Sequence, residues 1–102
     1  MEHEYTCGEC CRTKNRPEDE KRALIHRLNR IEGQIRGLRG MVEKDAYCPD
    51  VLTQVSAVTA ALNGFTRVLL SEHIRTCVAD DIRQGNGYAV EELLATLQKL
   101  MR

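Results

Sequence analysis

Two long apolar repeats constrain the fold of this chain more than any other feature of its sequence. The first repeat places aliphatic side chains at intervals of four and three residues: Leu24, Leu28, Ile31, Ile35, Leu38 and Val42. The second repeat has the same kind of spacing: Leu52, Val55, Val58, Leu62, Phe65 and Leu69. Such spacing puts the side chains on one face of an α-helix and is typical of helices that pack lengthwise against other helices.

Helix-start and helix-end signals divide the chain into three helices. Pro17, followed by three acidic residues, favours the start of the first helix, and Pro49 favours the start of the second. The stretch "RQGNGY" ends the second helix, with Gly85 or Gly87 suited to a left-handed C-cap. Residues 88–102 form a short third helix. The sequence therefore predicts an all-α fold with a long central helix.

The length of the chain predicts one domain and more than one copy. With 102 residues, one Phe and no Trp, a single copy has only a thin aliphatic core. A hairpin with one short extra helix leaves apolar faces uncovered, and burying them is worth roughly 25 cal/mol per Å². We expect an antiparallel four-helix-bundle dimer, doubled into a dimer of dimers. Residues 1–15 are predicted to be a flexible, cysteine-containing tail, and residues 16–102 the helical domain.

The cysteine content and the N-terminal sequence indicate the cellular compartment of the protein. No apolar run approaches the roughly 20 residues that cross a bilayer, and "MEHEYTCGECC" lacks the order of a signal peptide. A cytoplasmic protein without a membrane partner is expected. Five cysteines in a reducing compartment point to metal binding or thiol chemistry rather than disulfides.

The charge of the chain sums to zero but is unevenly spread. Residues 12–44 hold ten Lys or Arg against five Asp or Glu, whereas the segments on either side are acidic. A basic segment on an otherwise acidic protein favours a polyanionic partner, although a solvated helix face gives the same pattern.

His73 and Cys77 continue the second apolar repeat by steps of four, so one helix face carries both an imidazole and a thiol. A metal ion held there needs a third ligand. Cys48 lies 25 residues before His73, roughly 37 Å along a straight helix. In an antiparallel dimer, however, Cys48 of one protomer could meet His73 and Cys77 of its partner.

Two thiolates and one imidazole form a soft, three-coordinate ligand set. Cu(I) accepts such a set, whereas structural Zn(II) takes a fourth ligand and Ni(II) or Co(II) prefer nitrogen and oxygen. The residues alone leave open that Cys77 is a small core side chain and His73 a satisfied core histidine.

Four stretches resemble the copper-sensing repressor family known as CsoR: "RLNRIEGQIRG", "DAYCPDVLTQVSAVTAAL", "LLSEHIRTCVADDIRQGNG" and "EELL". The resemblance covers residues from about 20 to 100. It implies an all-helical homotetramer whose apo form binds double-stranded operator DNA and represses copper-export genes, and which Cu(I) releases. It also implies Cys48, His73 and Cys77 as the metal ligands, with Tyr47 and Glu92 as the groups that orient them.

The same resemblance implies that Arg27 binds DNA, and Arg30 and Arg67 are further candidates. None of the three lies in a recognisable helix-turn-helix. A basic helical surface binds phosphates broadly, with sequence preference arising from DNA shape.

The N-terminal residues His3, Cys7, Cys10 and Cys11 form a possible accessory metal or thiol site. They could exchange copper with a chaperone, or supply a fourth ligand and shift the preference toward Zn(II) or another divalent ion. The alternative is a disordered tail whose cysteines are incidental.

Other functions compete with copper-responsive repression. One is a sensor of zinc, nickel, cobalt or reactive sulfur that uses the same cysteines. Another is a copper-buffering or carrier protein. Enzyme function is not expected, because the sequence has no convincing carboxylate pair, nucleophile elbow or phosphate loop.

Overall fold

The computed structural model describes residues 16–101, and within that range the chain is helical, without strands. Its elements are α1 (Glu18–Glu43), α2 (Cys48–His73), a π-helical turn (Ile74–Val78), α3 (Ala79–Arg83) and α4 (Tyr88–Leu100). The backbone stays in the right-handed helical region from α2 through the π turn into α3, so these elements form one long helix. The predicted all-α fold of three helices is confirmed. The predictions for His3, Cys7, Cys10 and Cys11 lie outside the described residues.

The first helix begins and ends where its sequence signals place it. Pro17 is the N-cap, and all three acidic residues that follow it lie in the first turn, where they favour the helix dipole. Beyond the C-terminus, Asp45 adopts a φ of 56°. This left-handed residue lets the Ala46 N–H donate a 2.9 Å hydrogen bond to the Met41 carbonyl. The chain then turns directly into α2.

The described chain divides into two compact units, residues 17–69 and residues 70–101 with Arg16. In the first unit only part of the apolar repeat of α1 is buried. Leu24 and Ile31 are buried, but Leu28, Ile35 and Val42 remain 42%, 46% and 63% exposed. Successive members of the buried set, and of the exposed set, are seven residues apart. Each set therefore lies on one side of the helix. The expectation that a single copy leaves its apolar faces uncovered is confirmed.

The second unit packs α4 against the π turn and α3. Cys77, Val78 and Ala89 are buried there, Ala89 completely. No helix within residues 16–101 has the length and hydropathy needed to span a membrane.

Gly85 ends the long helix, and replacing it tests that C-cap. Gly85 has a φ of +85°, a region that L side chains rarely adopt. The Gly85→Ala variant should therefore lower the free energy of unfolding by about 1 kcal/mol. The exposed, mid-helix Gly37 provides the matched control, since Gly37→Ala should raise the same quantity by about 0.5–1 kcal/mol. Urea denaturation at one fixed protein concentration measures both; equal effects of the two variants would refute the assignment.

Candidate metal centre and arginine cluster

His73 and Cys77 lie at the junction between α2 and the π turn. His73 is the last residue of α2 and is half-buried, whereas Cys77 lies within the turn and is only 2% exposed. Cys77 is disulfide-bonded in this structure, contrary to the expectation of metal binding or thiol chemistry rather than disulfides. The Ala79 N–H donates to the carbonyl of Ile74, five residues earlier, which is the hydrogen bond that defines a π-helix. Short π-helical turns inside α-helices are rare and occur frequently at functional sites. The local backbone therefore marks the same two residues that the spacing singled out.

The sequence around Thr76 offers a physical reason for the turn. The Thr76 hydroxyl donates a 2.7 Å hydrogen bond to the Glu72 carbonyl, and its oxygen lies 3.8 Å from Cys77 Sγ. A threonine that bonds back to the carbonyl four residues earlier competes with the backbone and bends the helix. The apolar spacing alone predicted an uninterrupted α-helix here, because it does not register side-chain bonds to the backbone.

A partly buried ion pair holds the helix just before His73. Glu72 Oε1 accepts a 3.1 Å bond from Arg16 Nε, and the two side chains are 8% and 24% exposed. Removing Arg16 would leave the carboxylate of the buried Glu72 without this partner, which is destabilising. The sequence analysis missed this pair, which joins residues 56 positions apart.

Asp81 connects the helix that carries Cys77 to α4. Its side chain, one α-helical turn after Cys77, accepts a 2.8 Å bond from the Ala89 N–H and a 3.0 Å bond from Asn86 Nδ2. A carboxylate at this position satisfies a helix N-terminus and complements its dipole. Glu92, which the family resemblance implicates in orienting the site, lies half-buried on α4, one turn beyond Ala89. Asp81 is therefore a positioning residue for α4, and the sequence analysis did not find it.

Removing the Asp81 carboxylate should destabilise the protein. Asp81→Ala leaves the N–H of the fully buried Ala89 without its acceptor, which costs about 1–3 kcal/mol. The neighbouring Asp80 is the control: its bond to Arg83 is exposed, so Asp80→Ala should cost less than about 0.5 kcal/mol. Urea denaturation at equal protein concentration measures the difference. Equal midpoints for the two variants would show that Asp81 does not hold α4.

The third predicted ligand, Cys48, is the first residue of α2. It is exposed, and its thiol is free. The preceding Tyr47 is 73% exposed, and its carbonyl accepts the N–H groups of Asp50 and Val51 at 3.0 and 3.2 Å. These bonds fix the start of α2 and hold Cys48 at the helix end, accessible from outside the chain.

Residues 16–101 of one chain contain no group of three His, Cys, Asp or Glu side chains able to hold a metal ion. Of the three predicted ligands, Cys48 belongs to one unit, and His73 and Cys77 belong to the other.

The three arginines predicted to bind DNA line one pocket between α1 and α2. Arg27, Arg30 and Arg67, here called the arginine cluster, surround a cavity of about 270 Å³. The remaining lining residues are small, apolar or uncharged: Ile31, Gln34, Ala60, Ala61 and Gly64. The pocket is therefore lined by three cations and no carboxylate.

Two guanidinium groups of the cluster converge above Gly64. A Cβ placed on Gly64 would lie 3.3 Å from Arg27 Nη1 and 3.9 Å from Arg67 Nη2. The two nitrogen atoms are therefore no more than about 7 Å apart. Like charges at that limiting distance repel by roughly 0.6–2.4 kcal/mol at effective dielectric constants between 80 and 20, and closer charges repel more strongly. The Oε1 atom of Gln34, which lines the same pocket, is buried without a hydrogen-bond partner among the described residues. An anion in this pocket would relieve the repulsion.

The family model for metal-sensitive transcriptional repressors matches residues 20–99. The chain belongs to this family. The match contains every residue that lines the arginine cluster, the π turn and all three predicted ligands. Its description is that of a regulator of transcription rather than of an enzyme class.

Individual members of the repressor family agree closely with the chain. It is 48% identical over 84 residues to the copper-sensing transcriptional repressor CsoR of Bacillus subtilis, spanning 81% of this chain and 83% of that protein. It is 46% identical over 86 residues to the copper-sensing transcriptional repressor RicR of Mycobacterium tuberculosis, spanning 81% of this chain and 90% of that protein. The fold matches the crystal structure of the copper-sensing repressor CsoR with Cu(I) from Geobacillus thermodenitrificans. That match has a TM-score of 0.83 and 40% identity, over 86% of this chain and 93% of the other.

Proposed function

We propose that this repressor is copper-responsive: its metal-free form binds operator DNA upstream of copper-export genes, and Cu(I) binding releases it. The observation that supports this most strongly is the pairing of His73 with the buried Cys77 around a π turn. The relatives named above are copper-sensing repressors, and one of them was crystallised with Cu(I).

The proposed copper site lies between two copies of the chain. Cys48 of one protomer joins His73 and Cys77 of its partner, and two-fold symmetry makes two identical sites. The donor set fits Cu(I), because soft thiolates with one imidazole suit that ion better than Zn(II), Ni(II) or Co(II). When bound, Cu(I) supplies a strong link between the two protomers.

The exposed apolar face of α1 supports assembly. Leu28 and Ile35, with Arg36 and Arg39 beside them, line an open groove of about 330 Å³ on this face. On α2, Leu52 and Leu62 remain 65% and 43% exposed in one chain. A second copy that packs antiparallel would cover both faces, and two such dimers would form the tetramer.

The chain's own contacts offer a route from metal binding to DNA release. Cys77 would be held in position when Cu(I) is bound, and the Asp81 carboxylate, one turn later, holds the N-terminus of α4. Glu92 on α4 orients the His73 ring, with Tyr47 beside the third ligand. Locking two copies together in this way changes the spacing of their arginine clusters, which no longer match the phosphates of one duplex.

The proposal also covers the N-terminal residues and the location of the protein. Cys7, Cys10, Cys11 and His3 serve as an accessory thiol site that accepts copper from a chaperone. A repressor acts where the DNA is, so the cytoplasm is the proposed location.

Operator binding under anaerobic conditions tests the proposal. A labelled duplex from the protein's own promoter is titrated with metal-free and with Cu(I)-loaded protein, and X-ray absorption reports the copper ligands. We expect tight binding by the metal-free form only, and a shell of two sulfurs and one nitrogen that persists when residues 1–15 are deleted. Equal affinities of the two forms, or an all-sulfur shell that depends on the tail, would contradict the proposal.

A further inference from the structure

We propose that Cys77 is a site of reversible oxidation: a peroxide joins it to a cysteine of the N-terminal tail, and this disulfide withdraws Cys77 from the copper site while leaving DNA binding intact. This inference rests on the proposed function, since it concerns the regulation of the proposed copper site. It goes beyond that function by making copper sensing conditional on the redox state of the protein.

Cys77 already has a sulfur partner in the structure. It is disulfide-bonded, whereas Cys48 is free. The chain has five cysteines, so the partner of Cys77 within one chain is one of the remaining three. These three lie outside the described residues: Cys7, Cys10 and Cys11. Because the thiolate is the form of cysteine that binds a metal, the disulfide and a copper ion exclude each other at Cys77.

The Arg16–Glu72 ion pair fixes the end of the tail on the helix that carries Cys77. Arg16 directly follows the tail, and its Nε lies 3.1 Å from Glu72 Oε1. Glu72 precedes Cys77 by five residues, roughly 7 Å along a helix axis. Cys11 precedes Arg16 by five residues, over which an extended chain spans roughly 17 Å. The tail is therefore long enough for its cysteines to reach Cys77.

The burial of Cys77 sets the order of the oxidation steps. Because Cys77 is only 2% exposed and oxidation follows exposure, hydrogen peroxide reacts first with the tail thiolate. That sulfur attacks one peroxide oxygen, the O–O bond breaks, and a sulfenic acid forms with release of one water. The Cys77 sulfur then attacks the sulfenic sulfur, an S–S bond forms, the S–O bond breaks, and a second water leaves. Two thiols lose two electrons and two protons, and one hydrogen peroxide becomes two waters.

The oxidised repressor should still bind its operator. A disulfide within one chain does not supply the link between two protomers that copper supplies in the proposed mechanism. The arginine cluster belongs to the unit of residues 17–69, whereas Cys77 belongs to the other unit. Disulfides in reducing compartments are usually transient and serve catalysis or redox sensing, so this bond acts as a reversible block on copper sensing.

Peptide mapping tests the site. Full-length, metal-free protein is reduced, freed of reductant and treated with a stoichiometric amount of hydrogen peroxide; the remaining thiols are then alkylated, and the chain is cut with trypsin. We expect mass spectrometry to find the peptide of residues 1–12 linked to that of residues 76–83, with Cys48 alkylated. A disulfide confined to the tail with Cys77 alkylated would overturn the proposal. So would a covalent dimer that links Cys48 to Cys77.

Copper and DNA binding test the consequence. Relative to reduced protein, oxidised protein should bind Cu(I) more than about 100-fold more weakly, because a ligand is lost. It should keep its affinity for the promoter duplex and remain bound when Cu(I) is added, and treatment with dithiothreitol should restore release. Oxidised protein that binds Cu(I) as tightly as reduced protein would contradict the proposal. A disulfide that survives excess reduced glutathione would be a permanent structural bond and would overturn the switch.

A pair of arginine variants tests the role of the ion pair. Arg16→Ala should slow formation of the disulfide about threefold or more, because the tail is no longer held beside the helix and its effective concentration falls. Arg83→Ala is the matched control, since its bond to Asp80 is exposed and lies away from the tail; it should leave the rate unchanged. Equal rates for the two variants would refute the anchoring role of Arg16.

The outcomes separate this inference from the proposed function. If copper releases the reduced wild type from its operator but Cys77 forms no disulfide with the tail, the redox site is wrong and copper-responsive repression stands. If copper does not release the reduced wild type, the proposed function itself fails, whatever the peptide map shows.

Discussion

A repressor in which Cys77 is replaced by serine is expected to bind its operator normally and to remain bound when Cu(I) is added. The substitution removes one of the two sulfur donors of the proposed three-ligand site and leaves a side chain of similar size at a position that is only 2% exposed. Losing even an outer-shell partner of a metal ligand costs about 10–100-fold in affinity, so loss of a ligand itself should cost more than about 100-fold. Anisotropy of a labelled operator duplex, with and without Cu(I), measures both properties.

The control for this prediction is Cys10→Ser, which removes a thiol that is not among the three proposed ligands. It should retain both operator binding and release by copper. If Cys10→Ser abolished release and Cys77→Ser retained it, the sensing thiols would lie in the tail. Circular dichroism of each variant shows whether the helices are intact.

The second large effect concerns the arginine cluster. Arg27→Ala should weaken operator binding about tenfold to 100-fold, since a hydrogen bond to a charged group contributes about 1.5–3 kcal/mol. Arg27 has its guanidinium directly above Gly64, within a pocket that holds two further arginines. The effect should be similar for different duplex sequences, because phosphate contacts carry affinity rather than base recognition.

A charge-matched control is Arg39→Ala on the groove of α1 that carries exposed apolar residues. It removes one positive charge from the same helix but not from the cluster. We expect less than about a threefold change, consistent with screening of an exposed charge at physiological salt. Equal losses for the two variants would mean that the basic helix binds DNA through its overall charge and that the cluster has no special role.

The helices and their ends could be predicted from the sequence because their causes are local. Apolar spacing fixed the faces of α1 and α2, Pro17 marked a start, and Gly85 marked an end. The metal-sensitive repressor family was also recognisable, since its motifs spread over most of the chain. The three residues of the arginine cluster were predicted from the sequence, and the structure places all three around one pocket.

What the sequence did not reveal depends on contacts between distant residues or on side chains that compete with the backbone. The Arg16–Glu72 pair joins residues 56 positions apart, and no periodic pattern marks either partner. Asp81 looks like an ordinary helix residue until its bond to the Ala89 N–H is seen. The π turn depends on the bond from the Thr76 hydroxyl to the backbone and on the backbone hydrogen bonds nearby. The spacing of apolar residues contains no information about these bonds. The joining of Cys48 to His73 and Cys77 stays a prediction.

The central claim is that each copper site takes its ligands from two chains, and a mixing experiment tests it most directly. One chain carries Cys48→Ser and the other carries His73→Ala with Cys77→Ser, both with the three tail cysteines replaced by serine. Neither chain alone contains a complete ligand set. If the chains are refolded together and pair at random, half of the dimers are mixed and each mixed dimer has one intact site, giving about one quarter of a Cu(I) per chain. A competition titration that restores tight binding at that level is the result we predict; a mixture that binds no more tightly than its separate components would contradict the claim.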